Sequence, residues 1–379
     1  MNSRQRVTAV MQGEIPDRLP VGEYAVDCDT IERVIGHETF LRAKAKSQIA
    51  FWEGRRDEVV QSWREDFIEL HKKLPVFDIV NLAAQATAIL PPAGLERVRY
   101  RKPDEVTYIL ETGDVYRYSE ATRDLTLVQY GRVPMFRIEQ FQGEPAAHAP
   151  DPSCFQVYDA LIPAFPEKFV IGYSGPEVGL VELGDTEQTL MRYALEPELS
   201  MAAARYNLAV ANGLDRCYAR AGIQAVLWGQ DHAYVSGPMV SPSMFRALAL
   251  PVYASRVRNV KAVMGVPIIK HACGNNWQLL DMYVEAGFDG YQSIQASAGM
   301  DLARVKRAYG SRLVLWGGVP LELLQAGTAA EVRNAVRAAA ESGKPGGRYI
   351  LGSSHSIAVG SNYDNFMAML DEYERVAAY

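Results

Sequence analysis

One local pattern recurs along much of this chain and restricts its fold more than any other feature. A helical stretch ends in glycine, and an apolar segment of strand length follows within a few residues. Glycine closes helices because it adopts the left-handed conformation that other residues resist. Ala221-Gly222 leads into 223–228, Met264-Gly265 into 266–271, Ala286-Gly287 into 288–291, Tyr309-Gly310 into 312–316 and Gly346-Gly347 into 348–351. Segment 169–173 adds a strand of the same kind, and upstream 19–25 and 76–82 are strand-like around a helical stretch, 31–74. Strands that alternate with helices make a parallel sheet. Eight such units in 379 residues predict an α/β fold, a (β/α)8 TIM barrel, with a doubly wound open sheet as the alternative.

Helix starts agree with this phasing. Pro197 suits a first helical turn, Asp301 can cap the helix that leads to Lys306, and Thr328-Ala329-Ala330-Glu331 has capping-box spacing. Residues 96–131 follow a different rule, alternating apolar and polar side chains between turn signals such as Thr112-Gly113-Asp114. They are expected to form a small antiparallel β insertion over one end of a single barrel domain spanning 1–379, with 143–152 as a connector.

Composition narrows the classes of partner. With 48% hydrophobic and 22% charged residues the chain can bury a large core, and a net charge of −6 offers no basic surface for nucleic acid or anionic lipid. No run of about 18 apolar residues is present to span a bilayer, and the amino terminus lacks the apolar core of a signal peptide. A cytoplasmic protein is expected, and Cys28, Cys154, Cys217 and Cys273 are far enough apart to be reduced thiols.

Barrel enzymes gather reactive groups where strands end. On the phasing above, Glu23, Asp27 and Cys28 follow the first strand, Tyr173 and Glu177 the third, Asp231 and His232 the fourth, Tyr291 and Gln292 the sixth. Gly317 and Gly318 follow the seventh, and Ser353, Ser354 and His355 the eighth. Three of the six histidines, His232, His271 and His355, therefore lie at strand ends, which favours a metal or proton-transfer site. His271-Ala272-Cys273-Gly274 closes the fifth strand, where alternation sends both side chains the same way, and imidazole with thiolate suits Zn²⁺. The competing interpretation is a packed thiol beside a hydrogen-bonded imidazole. A third ligand is required, and His355 is the first choice ahead of Cys28 and Glu23. Asp231 is expected to orient a ligand or exchange a proton, with His355 as its catalytic partner. Gly317, Gly318, Ser353 and Ser354 have the composition of a phosphate- or cofactor-holding loop, while Glu23, Tyr24, Tyr173, Glu177, Trp228, His232 and Tyr291 are candidate substrate contacts.

Several stretches together carry a family resemblance: Asp231 with Ser241-Pro242-Ser243-Met244-Phe245, His271-Ala272-Cys273-Gly274, Asp301-Leu302-Ala303-Arg304-Val305-Lys306, Trp316-Gly317-Gly318-Val319-Pro320, and Tyr349-Ile350-Leu351 leading to His355 and Asn365. The chain resembles the uroporphyrinogen decarboxylase superfamily, most closely its cobamide-dependent methyltransferase-like branch. The resemblance is good over 160–379 and looser over the first 90 residues, through Asp17-Arg18-Leu19-Pro20-Val21. It implies a barrel, and the decarboxylases' cluster of arginines after the first strand is absent from 21–31. The methyltransferases hold zinc with an H-x-C pair plus a later cysteine, so the resemblance implies that His271 and Cys273 are metal ligands and places His355 near the missing thiolate.

The expected function is thus zinc-dependent methyl transfer between a corrinoid and a small thiol, ether or amine. A D-x-H-x-x-G cobalamin motif is missing, so the corrinoid would arrive free or on a separate corrinoid protein. The alternatives are a metal-free decarboxylase or lyase and a non-catalytic barrel that binds a tetrapyrrole or corrinoid. Partners are expected to be a small-molecule methyl donor or acceptor, with a homodimer allowed and neither nucleic acid nor membrane involved.

Overall fold

The computed structural model describes residues 1–84 and 89–379. In chain order the strands are β1 (Ile79–Asn81), β2 (Tyr100–Arg101), β3 (Thr107–Leu110), β4 (Val115–Ser119), β5 (Asp124–Gln129), β6 (Phe169–Gly172) and β7 (Ala225–Trp228). A short hairpin, β8 (Ala233–Tyr234) and β9 (Gly237–Pro238), precedes β10 (Ile268–His271), β11 (Gly290–Ser293), β12 (Val314–Val319) and β13 (Tyr349–Ser353). The main sheet is parallel throughout, with the order β1-β6-β7-β10-β11-β12-β13.

The strands alternate as a two-faced parallel sheet must. Ile79, Phe169, Ile171, Ala225, Leu227, Ile269, Val314, Trp316 and Ile350 form an inner core, joined by Val7 and Val10 of the first helix, Ser3–Gln12. The intervening residues, including Val80, Val170, Val226, Trp228, Ile268, Tyr291, Leu315 and Leu351, turn to the surrounding helices. The result is an α/β fold built on a curled parallel sheet, of TIM-barrel-like form.

The first expected strand departs from expectation. Residues 19–25 do not form a regular strand; Val21 makes an isolated bridge to Leu351, and bridges from Arg18 to Ala378 and from Val26 to Ile357 flank the segment. Pro20 has no N–H to donate, and a Cβ on Gly22 would sit 2.7 Å from that of Ile79. The segment still touches both sheet edges. Leu351 donates to the Pro20 carbonyl at 2.9 Å, Gly22 donates to Leu351 at 3.1 Å, and Asp78 donates to Val21 at 2.7 Å. Beyond it, Leu19 donates to the Ala377 carbonyl at 2.8 Å, and the Tyr373 hydroxyl donates to Leu19 at 2.7 Å. Among the described residues the sheet is therefore seven-stranded, with its edges linked by a short extended segment, where eight strands were expected.

Residues 96–131 contain the expected antiparallel sheet, in the order β2-β3-β4-β5. Tyr100, Tyr108 and Tyr116 close around Trp52, which fastens the insertion to the helix Lys44–Trp52. The helix starts read from sequence are present: Asp301 accepts from Arg304, Thr328 and Glu331 form a reciprocal capping box, and Pro197 opens its helix. The four cysteines are free. Among the described residues no helix is long and apolar enough to cross a membrane.

Candidate metal centre

Alternation along β10 puts Ile269 inside and carries His271 to the inner face at the carboxyl end of the sheet. Cys273 follows on a tight loop. There the Asn276 amide donates to the carbonyls of Ala272, Cys273 and Gly274 at 3.1, 2.7 and 3.2 Å. Gly274 has φ +82°, and a Cβ there would lie 2.3 Å from the Ala233 carbonyl oxygen, so glycine is required. Asp231 comes from the loop after β7. Its Oδ1 accepts from the Cys273 backbone N–H at 2.7 Å, which links the two loops.

Donor atoms of Asp231, His271 and Cys273 all lie within 4.8 Å of one another. His271 Nε2 is 3.4 Å from Cys273 Sγ and 3.9 Å from Asp231 Oδ1. Gln292, the β11 register partner of His271, presents its Oε1 to Nδ1. An amide oxygen only accepts, so Nδ1 carries the proton and Nε2 is left bare toward sulfur and carboxylate. Burial pulls the His271 pKa down to about 4, and burial followed by the Asp231 charge pushes the Cys273 thiol up to about 12. As a neutral pair, the thiol donates to Nε2. A metal ion entering would displace that proton and take nitrogen, sulfur and oxygen donors, a set suited to zinc, with its imidazole already oriented by Gln292.

The structure treats the other sequence candidates unequally. Tyr24 is partly exposed and stacks on His271, with centroids 3.9 Å apart and planes 18° apart. His355 borders the cluster, its ring centroid 6.4 Å from that of His271, with Nδ1 at 2.9 Å from the Ser356 hydroxyl. The third donor brought into the group is Asp231, in the place expected for His355. Cys28 starts a helix away from this group, and Asp27 pairs with Arg42 at 2.7 Å. Glu23 is buried and accepts from the backbone N–H and hydroxyl of Ser353, and burial pushes its carboxyl up to about 8.

Four expected substrate contacts are engaged inside the protein, Trp228 and Tyr291 through strand parity and His232 and Tyr173 through their neighbours. Trp228 Nε1 donates to Ser174 Oγ at 2.8 Å, and the Tyr291 hydroxyl donates to the Ala272 carbonyl at 2.9 Å. His232 is fully buried between the hydroxyls of Tyr283 and Tyr253, at 2.9 and 2.7 Å. Tyr173 packs edge-on against Tyr218. Glu177 also lies beneath the site, where it accepts from Lys270 Nζ at 2.5 Å, from the Tyr253 hydroxyl at 2.6 Å and from Gln230 N–H at 2.7 Å. Lys270 further donates to the Gln230 carbonyl at 2.5 Å, so this buried pair anchors the loop that carries Asp231.

The expected cofactor loop is likewise tied up internally. Gly317 and Gly318 have φ +117° and +100°, and a Cβ on Gly317 would meet the Ser293 carbonyl oxygen at 2.6 Å. Ser353 bonds Glu23, and the Ser354 hydroxyl accepts from Leu321 N–H at 3.1 Å. Sequence reasoning placed Gln292 at a strand end without a specific role and passed over Asn276. The signal available was a polar amide inside or just after a buried strand.

A curled parallel α/β sheet with nitrogen, sulfur and carboxylate donors at the carboxyl ends of its strands defines the class. The chain belongs to the uroporphyrinogen decarboxylase (URO-D) family, whose model matches residues 181–376. Its fold is similar to that of a methyltransferase from Methanosarcina mazei, with a TM-score of 0.61 at 16% identity over 99% of each chain. No curated protein matches the sequence.

Proposed function

We propose that this protein is a zinc-dependent methyltransferase of the methyltransferase-like branch, moving a methyl group between a corrinoid and a small thiol, ether or amine. The observation that carries the proposal is the convergence of Asp231, His271 and Cys273 within 4.8 Å at the end of β10. The M. mazei methyltransferase's shared fold supports it. The seven strands and segment 20–22 are read as one (β/α)8 barrel domain bearing the 96–131 insertion, its mouth at this cluster.

Zinc held by these three residues would act as a Lewis acid on the substrate heteroatom, sharpening a thiol nucleophile or improving a methylated oxygen or nitrogen as a leaving group. Gln292 keeps the His271 proton on Nδ1 and so keeps Nε2 free to ligate. Tyr24 covers one face of the imidazole and presents apolar surface to the substrate. His355, at the rim, takes up or returns the substrate proton. The corrinoid arrives free or on a separate corrinoid protein, and the chain works in the cytoplasm.

The test is metal content. Purified wild-type protein is expected to hold zinc near one per chain, and Cys273→Ser and Asp231→Ala are expected to lose most of it. Full occupancy in either variant removes that residue from the ligand set. A wild-type chain that takes up no zinc, yet releases CO2 from a carboxylated substrate, would establish the metal-free decarboxylase instead.

A further inference from the structure

We infer that Ser293 is a positioning residue for the Cys273 sulfur, its hydroxyl held there by a paired backbone distortion at the ends of β11 and β12. The inference rests on the metal reading of the site but is argued from separate observations.

Ser293 and Ile294 have φ of +115° and +55°, and they are neighbours in the left-handed region that side chains other than glycine resist. Such conformations are costly and persist where the surroundings impose them, often at functional sites. Both residues are fully buried. The distortion is shared with the adjacent strand. Gly317 is the register partner of Ser293, and its own φ of +117° leaves room for the Ser293 carbonyl, which any Cβ there would approach to 2.6 Å. Gly317 is thereby explained by what it admits on β11, while a Cβ on Gly318 would meet Leu302 Cδ2 at 2.8 Å.

The result is a hydroxyl with two acceptors in reach. Ser293 Oγ lies 2.8 Å from the Ser354 carbonyl and 3.7 Å from Cys273 Sγ. It has one proton to give. While the sulfur is a neutral thiol directed at His271 Nε2, the carbonyl is the better acceptor. Once the sulfur carries charge, as it does on a metal, it becomes the stronger acceptor, and rotation about Cβ–Oγ delivers the proton with no backbone movement. Ser293 would then fix the direction of the sulfur lone pairs.

Two variants separate hydroxyl from backbone. Ser293→Gly removes the hydroxyl and relieves the left-handed φ, whereas Ser293→Ala removes the hydroxyl and keeps the strain. Chelator competition is expected to show zinc affinity about tenfold weaker in both, as for other groups that orient metal ligands. The thermal midpoint of Ser293→Gly should stay at or above wild type, and Co²⁺-loaded protein should show a shifted thiolate-to-cobalt charge-transfer band in both variants. Wild-type affinity and an unmoved band in both overturn the inference and leave the zinc reading standing. Loss confined to Ser293→Ala also overturns it, because the hydroxyl is absent from both. If wild-type protein takes up neither metal, the zinc reading fails, and iodoacetamide labelling of Cys273 decides the matter. About tenfold slower labelling in both variants supports Ser293 acting on the sulfur; the wild-type rate overturns it.

Discussion

A single amide, Gln292, determines which nitrogen of His271 faces the sulfur. Gln292→Ala is expected to weaken zinc binding by about 10- to 100-fold, read by competition with a chromophoric chelator, because the imidazole can then turn or change tautomer. Glu23 sets a pH dependence of stability. Its carboxyl is pushed up to about 8 from an ordinary 4.5, so between those values the folded chain keeps a proton that the unfolded chain has released. Stability from this group is complete below about 4.5 and is lost as pH rises through about 8. The thermal midpoint of wild type should fall between about pH 5 and 8, and the fall should be shallower in Glu23→Gln. His271, Cys273 and Asp231 were legible as strand-end residues because Gly222 and Gly265 locate β7 and β10, although the third donor was expected from His355. Gln292 was legible only as a strand-end amide, because its role comes from lying opposite His271 on the next strand, and that register is not written in either segment. Trp228 and Tyr291 show the opposite failure: their positions near strand ends were right, but one step of alternation sends them to the helices.

Helix caps are local, so the sequence states them openly. Thr328 and Glu331 satisfy each other's backbone N–H groups, and Thr328→Ala should cost about 1 kcal/mol in urea unfolding with little effect on metal binding. The carboxyl end of β12 obeys a different logic. Gly317→Ala would place a Cβ 2.6 Å from the Ser293 carbonyl oxygen and 3.0 Å from that of Ser353, at a φ of +117°. It should lower stability by about 1–3 kcal/mol in the same measurement, and it should weaken zinc binding too, because Ser293 must shift. Read alone, the two glycines suggested a cofactor loop. Gly317 answers to Ser293 approaching from β11 and Gly318 to Leu302, and no pattern within β12 records either.

The whole molecule depends on how the sheet's two edges are joined. Asp78 is fully buried; it pairs with Arg6 at 2.6 Å, and its second oxygen accepts from Val21 N–H at 3.1 Å. Asp78→Ala should destabilise the protein by about 3 kcal/mol, the low end for a broken buried pair because Asp17 still neutralises Arg6. A matching loss of cooperativity is expected in the unfolding curve. The alternation of strands and helices was legible from β6 to β13, but this junction was not. Pro20 and Gly22 obstruct a regular strand, and the contacts that hold the segment come from residues more than 50 positions away or at the far end of the chain. That separation has a consequence during synthesis. Leu19 cannot meet Ala377 until the residues between them have been translated, roughly 20–70 s at ~5–20 residues per second. Throughout that interval one flank of the nascent sheet lacks its seal.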